Sequence, residues 1–117
     1  MTTCSIEQLN SQKCEPCEGG VPAIELEEAR KQVAVLSGWT LDEAGNSISK
    51  SWNCKNFLKS LAFCNRIGEV AESEQHHPDL HLTGYRHVKV VLTTHAIGGL
   101  SMNDFIVAAK IDQEINP

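Results

Sequence analysis

Between residues 85 and 94 the chain alternates. Val88, Val90, Leu92 and Thr94 fall on one side, and Tyr85, His87, Lys89, Val91 and Thr93 on the other. A period of two is the mark of a strand with one buried face and one wet face. A shorter partner is expected at residues 79–82, with Thr83-Gly84 as the turn. Residues 39–41 and 47–52, around the turn residues Ala44-Gly45-Asn46, predict a second hairpin. Two hairpins separated by a helix cannot form an all-parallel sheet. The simplest packing is one antiparallel sheet with helices on one face, an α+β two-layer domain.

Three helices fill the intervals, giving the order α-β-β-α-β-β-α. In residues 23–36, Ile24, Ala29, Val33 and Leu36 recur at helical spacing, with Glu25, Glu27 and Glu28 at the start, where a helix dipole favours anions. Gly38 is the expected stop. The longest helix is expected over residues 54–73, with Asn53 as N-cap. Phe57, Leu58, Leu61, Cys64, Ile67 and Ala71 make its apolar stripe, with Lys55, Lys59, Arg66 and Glu69 largely off it. Gly68 inside it costs about 1 kcal/mol relative to Ala, which a close helix–sheet contact would explain. Ser101 caps the last helix, and Asp104 makes a variant of the capping box, which usually has Glu or Gln there. Phe105, Ile106, Ala108, Ala109, Ile111 and Ile115 follow, with Asp112 at the edge of the apolar face. Residues 1–22 carry Pro16, Gly19, Gly20 and Pro22 and read as an extended arm. Residues 23–117 then form one domain, which is all that 117 residues allow.

Ten basic and fifteen acidic residues give a net charge of −5. That excludes a general binder of nucleic-acid backbone, which needs a basic surface. No apolar run reaches the roughly 18–20 residues of a membrane span, and the N-terminus has no secretory-signal pattern. The five cysteines are odd in number and scattered, which fits a reducing compartment. The expected location is the cytoplasm, with organelle import left open. Cys14 and Cys17 form a CxxC motif. Gly19, Gly20 and Pro22 follow it where a redox motif would have a helix, and no second close pair completes a zinc site. A loop feature is the plainer reading.

All five histidines fall between positions 76 and 95. Histidine is the side chain that changes charge near neutral pH. Pro78 disfavours helix at His77, so His76 lies just beyond the long helix, and His95 lies just beyond the long strand. Ends of elements hold reactive groups at the rim of a cleft. Two imidazoles there can act as an acid–base pair, one protonating a leaving group while the other takes a proton. Glu72 and Asp104 place a carboxylate near each half, although Asp104 has a sufficient role as a cap and Glu72 as a solvated residue. His81 and His87 read as surface residues. His77 and His81 have the four-residue spacing of helical zinc sites, but Pro78 argues against a helix there. No metal is expected.

Glu72-x-x-x-His76-His77-Pro78, then Tyr85, His95 and Asp104, closely resembles the signature of the pterin-4a-carbinolamine dehydratases. Cys14-Glu15-Pro16-Cys17-Glu18-Gly19-Gly20-Val21-Pro22 resembles the arm of that family's bacterial and plant-type members. Thr94-His95-Ala96, Gly98-Gly99-Leu100-Ser101 and Trp52-Asn53-Cys54-Lys55-Asn56-Phe57 fit as well, although many relatives have an aromatic where Cys54 stands. The resemblance implies four antiparallel strands with three helices, and homodimers or homotetramers that extend the sheet. It implies a hydro-lyase that removes water from a 4a-hydroxytetrahydropterin to give quinonoid dihydropterin. No cofactor is implied, since the pterin is the substrate. His76 and His95 would do the chemistry. His77 and the backbone of Gln75, Thr93, Thr94 and Ala96 would hold the substrate, with Glu72 and Asp104 in support. Gln75 departs from the pattern, for many relatives carry Asp there. Two other readings share the motif: a non-catalytic dimerisation or assembly module, and a relative acting in molybdopterin metabolism. Animal relatives also serve as dimerisation cofactors of a homeodomain transcription factor, and the bacterial-type arm argues against that role here.

Overall fold

The computed structural model describes residues 3–14 and 23–115. In chain order its helices are α1 (Ile6–Ser11), α2 (Leu26–Val35), α3 (Phe57–Glu74) and α4 (Met102–Ile115), and its strands are β1 (Thr40–Leu41), β2 (Ile48–Asn53), β3 (Asp79–Thr83) and β4 (His87–Leu92). The strands form one sheet of order β1-β2-β4-β3, antiparallel at every pairing. In its register Ile48 faces Leu92, Trp52 faces Val88 and Leu80 faces Val90. The alternation in β4 has the expected sense. Val88, Val90 and Leu92 are fully buried, whereas His87 and Lys89 face water. Ile48, Ile67, Phe105, Val107 and Ile111 complete the core on that side. Tyr85 belongs to the turn and not to the strand, with a left-handed backbone (φ 55°).

Part of the N-terminal segment is not extended. Within it, α1 is closed by a full capping box, in which Ser5 Oγ accepts from the Gln8 N–H and the Gln8 side chain accepts from the Ser5 N–H. Leu9, fully buried, anchors it against α4. Six residues with one apolar anchor leave too little periodicity to read. Residues 15–22, including Cys17, lie outside the described residues.

The long helix starts later than its sequence suggests. Asn56, not Asn53, is the N-cap, its side chain accepting from the Lys59 N–H at 2.9 Å. Asn53 Oδ1 accepts from the Lys55 N–H instead, at 3.0 Å, and Lys55 turns into the left-handed region (φ 77°). The stripe also differs. Ile67 and Ala71 are buried, but Phe57, Leu58 and Leu61 are exposed. The inward line runs through Ser60, Ile67, Ala71 and Glu74. Ser60 is acceptable in the core because its hydroxyl bonds the Asn56 and Tyr85 carbonyls at 2.8 and 2.9 Å. Apolar residues cover a wide arc of this helix, so periodicity alone misplaces the centre of the buried face.

Gly68 has no close neighbour. A Cβ placed there meets no heavy atom within 4 Å, so the helix–sheet contact expected from its presence does not exist. Gly68→Ala should therefore stabilise the fold by about 0.5–1 kcal/mol. Urea unfolding would show a higher midpoint at unchanged slope; a lower midpoint would mean that Gly68 meets something in the assembled protein.

Candidate active site

The histidines are set by how α3 ends. Gln75 closes it in the left-handed conformation (φ 53°, ψ 37°), its N–H shared between the Ala71 and Glu72 carbonyls. The backbone then runs irregularly through His76, His77 and Pro78 into β3. Proline at that point blocks further helix. The two histidines part company at this bend. His76 turns inward and is only 6% exposed, and its Nε2 lies 2.6 Å from Oδ1 of Asp104. His77 turns outward, its Nε2 2.8 Å from Oε1 of Glu72, with both side chains more than half exposed.

Asp104 is fully buried and joins three elements. Its Oδ2 accepts from the Ser101 N–H at 3.0 Å and from the Thr94 hydroxyl at 2.8 Å. The Thr94 and Ser101 hydroxyls lie 2.8 Å apart. Asp104 thus closes the variant capping box of α4 and holds His76 with its other oxygen. Sequence proximity suggested Glu72 for one half of the site and Asp104 for the half with His95. The structure pairs Glu72 with His77 and Asp104 with His76.

Thr94 is 1% exposed, and its groups are engaged within the chain. Its N–H bonds the Gly99 carbonyl at 2.8 Å, its carbonyl accepts from Ile97 and Gly99, and its hydroxyl serves Asp104. This bridge between Thr94 and Gly99 pinches off a short loop. His95 and Ala96 lie on that loop, in a 3₁₀ turn (His95–Ile97), and both are exposed. Thr93 ties the loop to the first hairpin, its hydroxyl bonding the Asn46 carbonyl at 2.6 Å. The side chain of Gln75, at the departure from the expected Asp, donates to the Glu72 carbonyl at 2.8 Å.

The sheet register brings these pieces to one end. Asp79, at the start of β3, faces Val91 near the end of β4. His76 and His77 precede that strand start, and Thr93 to Ala96 follow that strand end. Asp104 connects the two sides. His81 and His87 lie exposed along β3 and β4 and take no part in the network. Among the described residues, no group of three or more His, Cys, Asp or Glu side chains is placed to hold a metal ion.

Two carboxylates near the bend are shifted. The hydrogen bond from His77, then that from Gln75, holds Glu72 below the usual carboxylate range. Burial works to raise Glu74, but hydrogen bonds from Lys110 and the Cys14 N–H, with the nearby lysine charges, outweigh it and hold Glu74 low. Glu74 receives Lys110 Nζ at 2.7 Å and the Cys14 N–H at 2.9 Å, two positions before His76. Only its spacing from Ile67 and Ala71 along the helix could have marked it in the sequence.

Residues 22–114 match the family described as pterin 4 alpha carbinolamine dehydratase. The chain belongs to this dehydratase family. A Nitrosomonas europaea relative, provisionally named a pterin-4-alpha-carbinolamine dehydratase, is 51% identical over 105 residues, covering 89% of this chain and 90% of its own. The Arabidopsis thaliana protein named pterin-4-alpha-carbinolamine dehydratase 2, mitochondrial, is 44% identical over 115 residues, covering 96% of this dehydratase and 62% of its own length. A crystal structure of a transcriptional coactivator/pterin dehydratase from Brucella melitensis superposes with a TM-score of 0.72 at 26% identity, over 80% of this chain and 98% of that one. A pterin dehydratase-like RuBisCO assembly factor of the alpha-carboxysome matches at 0.55 and 18% identity, over 68% of this chain and 90% of that one, a likeness of fold alone. The dehydratases of this family are hydro-lyases, and this chain is an enzyme of that class.

Proposed function

We propose that this dehydratase removes water from a 4a-hydroxytetrahydropterin to give quinonoid dihydropterin, in the recycling of tetrahydropterin, by histidine acid–base catalysis. The observation that carries the reading is Asp104, which ties buried His76 to Thr94 at the sheet end where His77 and His95 also emerge. The C4a–O bond breaks, and the hydroxyl leaves as water after gaining a proton. The ring nitrogen beside it loses its proton, and that electron pair forms the new C=N bond. Protons and charge balance without an oxidant. One donor and one acceptor suffice, and His76 and His95 supply them from two elements. With the Asp104 carboxylate as acceptor, Nε2 is the protonated nitrogen of His76, so its tautomer and ring orientation are fixed. His77, Gln75, Thr93 and Ala96 border the same region and contact the substrate. Thr94 acts from behind, through Asp104.

The direct test is turnover of 4a-hydroxytetrahydropterin, followed by formation of the quinonoid product. No acceleration over the spontaneous reaction would end the proposal. It would favour a non-catalytic assembly role, which the fold likeness to the RuBisCO assembly factor makes the second reading. A relative serving molybdopterin metabolism would turn over a different pterin. We infer that no metal or cofactor takes part, since proton transfer alone completes the reaction. Thorough chelation should leave the rate within experimental error; activity lost to chelator and regained with zinc would refute it.

The reading includes a homodimer or homotetramer joined along the sheet, which is supported by β3, a five-residue strand at the sheet edge. Nucleic acid is not a partner of so acidic a chain. No helix among the described residues is long and apolar enough to cross a membrane. Cys4, Cys54 and Cys64 are free thiols, which supports the cytoplasm. The mitochondrial Arabidopsis relative makes organelle import the competing location.

A further inference from the structure

The opposite end of the sheet holds a cavity of about 360 Å³ that the dehydration reaction does not use. It is lined by Trp52, Asn53, Cys54, Lys55, Lys59, Ala62, Phe63 and Arg66. Its distance from the histidines follows from the register. Ile48 pairs with Leu92 at the histidine end of β2, and Asn53 pairs with His87 at the far end.

Three features of this cavity point to a ligand. The first is charge. Three of the chain's ten Lys and Arg residues line it, with no Asp or Glu in the lining, on a protein of net charge −5. Arg66 is held by Glu114, but Lys55 and Lys59 make no ion pair among the described residues. They flank the start of α3, where the helix dipole adds positive potential. The second is the floor. Trp52 and Phe63 meet with ring centroids 5.0 Å apart at 57°, and Ala62 continues the apolar surface. Burial, then the neighbouring Cys64, pushes the Cys54 thiol up, so that wall stays neutral. The third is the backbone. Of the non-glycine residues with positive φ, Gln75 belongs to the histidine end, while Lys55 (77°) and Tyr85 (55°) are at this end. They are locked together through the Cys54 N–H on the Arg86 carbonyl and the Ser60 hydroxyl on the Tyr85 carbonyl. Glycine or asparagine would adopt these angles with less strain, and strain of this kind gathers at functional sites.

We propose that this cavity is a second binding site, for a small planar aromatic anion whose ring lies on Trp52 and Phe63 and whose acidic group sits between Lys55 and Lys59. An apolar floor with a few convergent polar groups, in a space of this size, suits a ligand of one or two fused rings. The two lysines supply charge-assisted hydrogen bonds.

Titration of the full-length protein with 1-anilinonaphthalene-8-sulfonate, an aromatic anion with a planar naphthalene ring and its own fluorescence, tests the site. One molecule should bind per chain, more weakly as salt is raised. The double variant Lys55→Asn, Lys59→Gln should raise Kd by about tenfold or more, the scale of losing such hydrogen bonds. Asn tolerates the left-handed backbone at position 55, and dehydratase turnover by this variant should not change. Leu58→Ala, on the exposed face beside the cavity, should leave Kd unchanged. Equal binding of uncharged N-phenyl-1-naphthylamine, or a double variant that binds like wild type, overturns the proposal. Loss of binding in Leu58→Ala overturns it too, by placing the probe on the exposed apolar face.

Discussion

His76→Ala and His95→Ala should each lower kcat by roughly 10²–10⁴-fold, the usual cost of losing a proton-transfer group. His77→Ala should chiefly raise KM. The expectation rests on the bend after α3. His76 is held from inside by Asp104, whereas His77 turns to the surface and meets Glu72. Side chains so divergent do not reach the same proton. His95 approaches from the loop that Thr94 and Gly99 pinch off, and so can face the pterin from another direction. Steady-state kinetics on the three single variants decide the roles. If His77→Ala loses kcat as heavily as the others with KM unchanged, the working pair is not His76 and His95.

Asp104→Ala should destabilise the fold by about 3 kcal/mol, the scale of removing one member of a buried polar pair. It strips an acceptor from His76, from the Thr94 hydroxyl and from the Ser101 N–H at once. Asp104→Asn keeps one acceptor oxygen but loses the charge, so it should cost less stability while still lowering kcat. Urea unfolding beside kinetics on both variants separates support from charge. A loss below about 1 kcal/mol for Asp104→Ala would show that the three donors find other partners.

The sheet was legible because β4 shows its two faces residue by residue. The last helix was legible because Ser101 and Asp104 carry their cap chemistry locally. Other features depend on partners far along the chain. Ser60 passes for a surface residue until the Tyr85 carbonyl arrives beside it, and Leu9 looks like a lone apolar residue until α4 covers it. The site divides the same way. The clustering of histidines marked the region, and the bend at Pro78 followed from local rules. Which carboxylate serves which histidine did not, since His76 and Asp104 are 28 positions apart and meet only through the packing of α3 on α4.

The segment that matches the family description begins at residue 22, yet Leu9 is among the most deeply buried side chains of the core. The Cys14 N–H, also ahead of residue 22, covers a buried oxygen of Glu74 at the foot of the helix that delivers His76. The family segment and the packed unit therefore differ in length. A chimera joined to a relative at residue 22 would replace the plug over α4 and the cover over Glu74 with foreign sequence. A junction ahead of Ser5, which caps α1, keeps both.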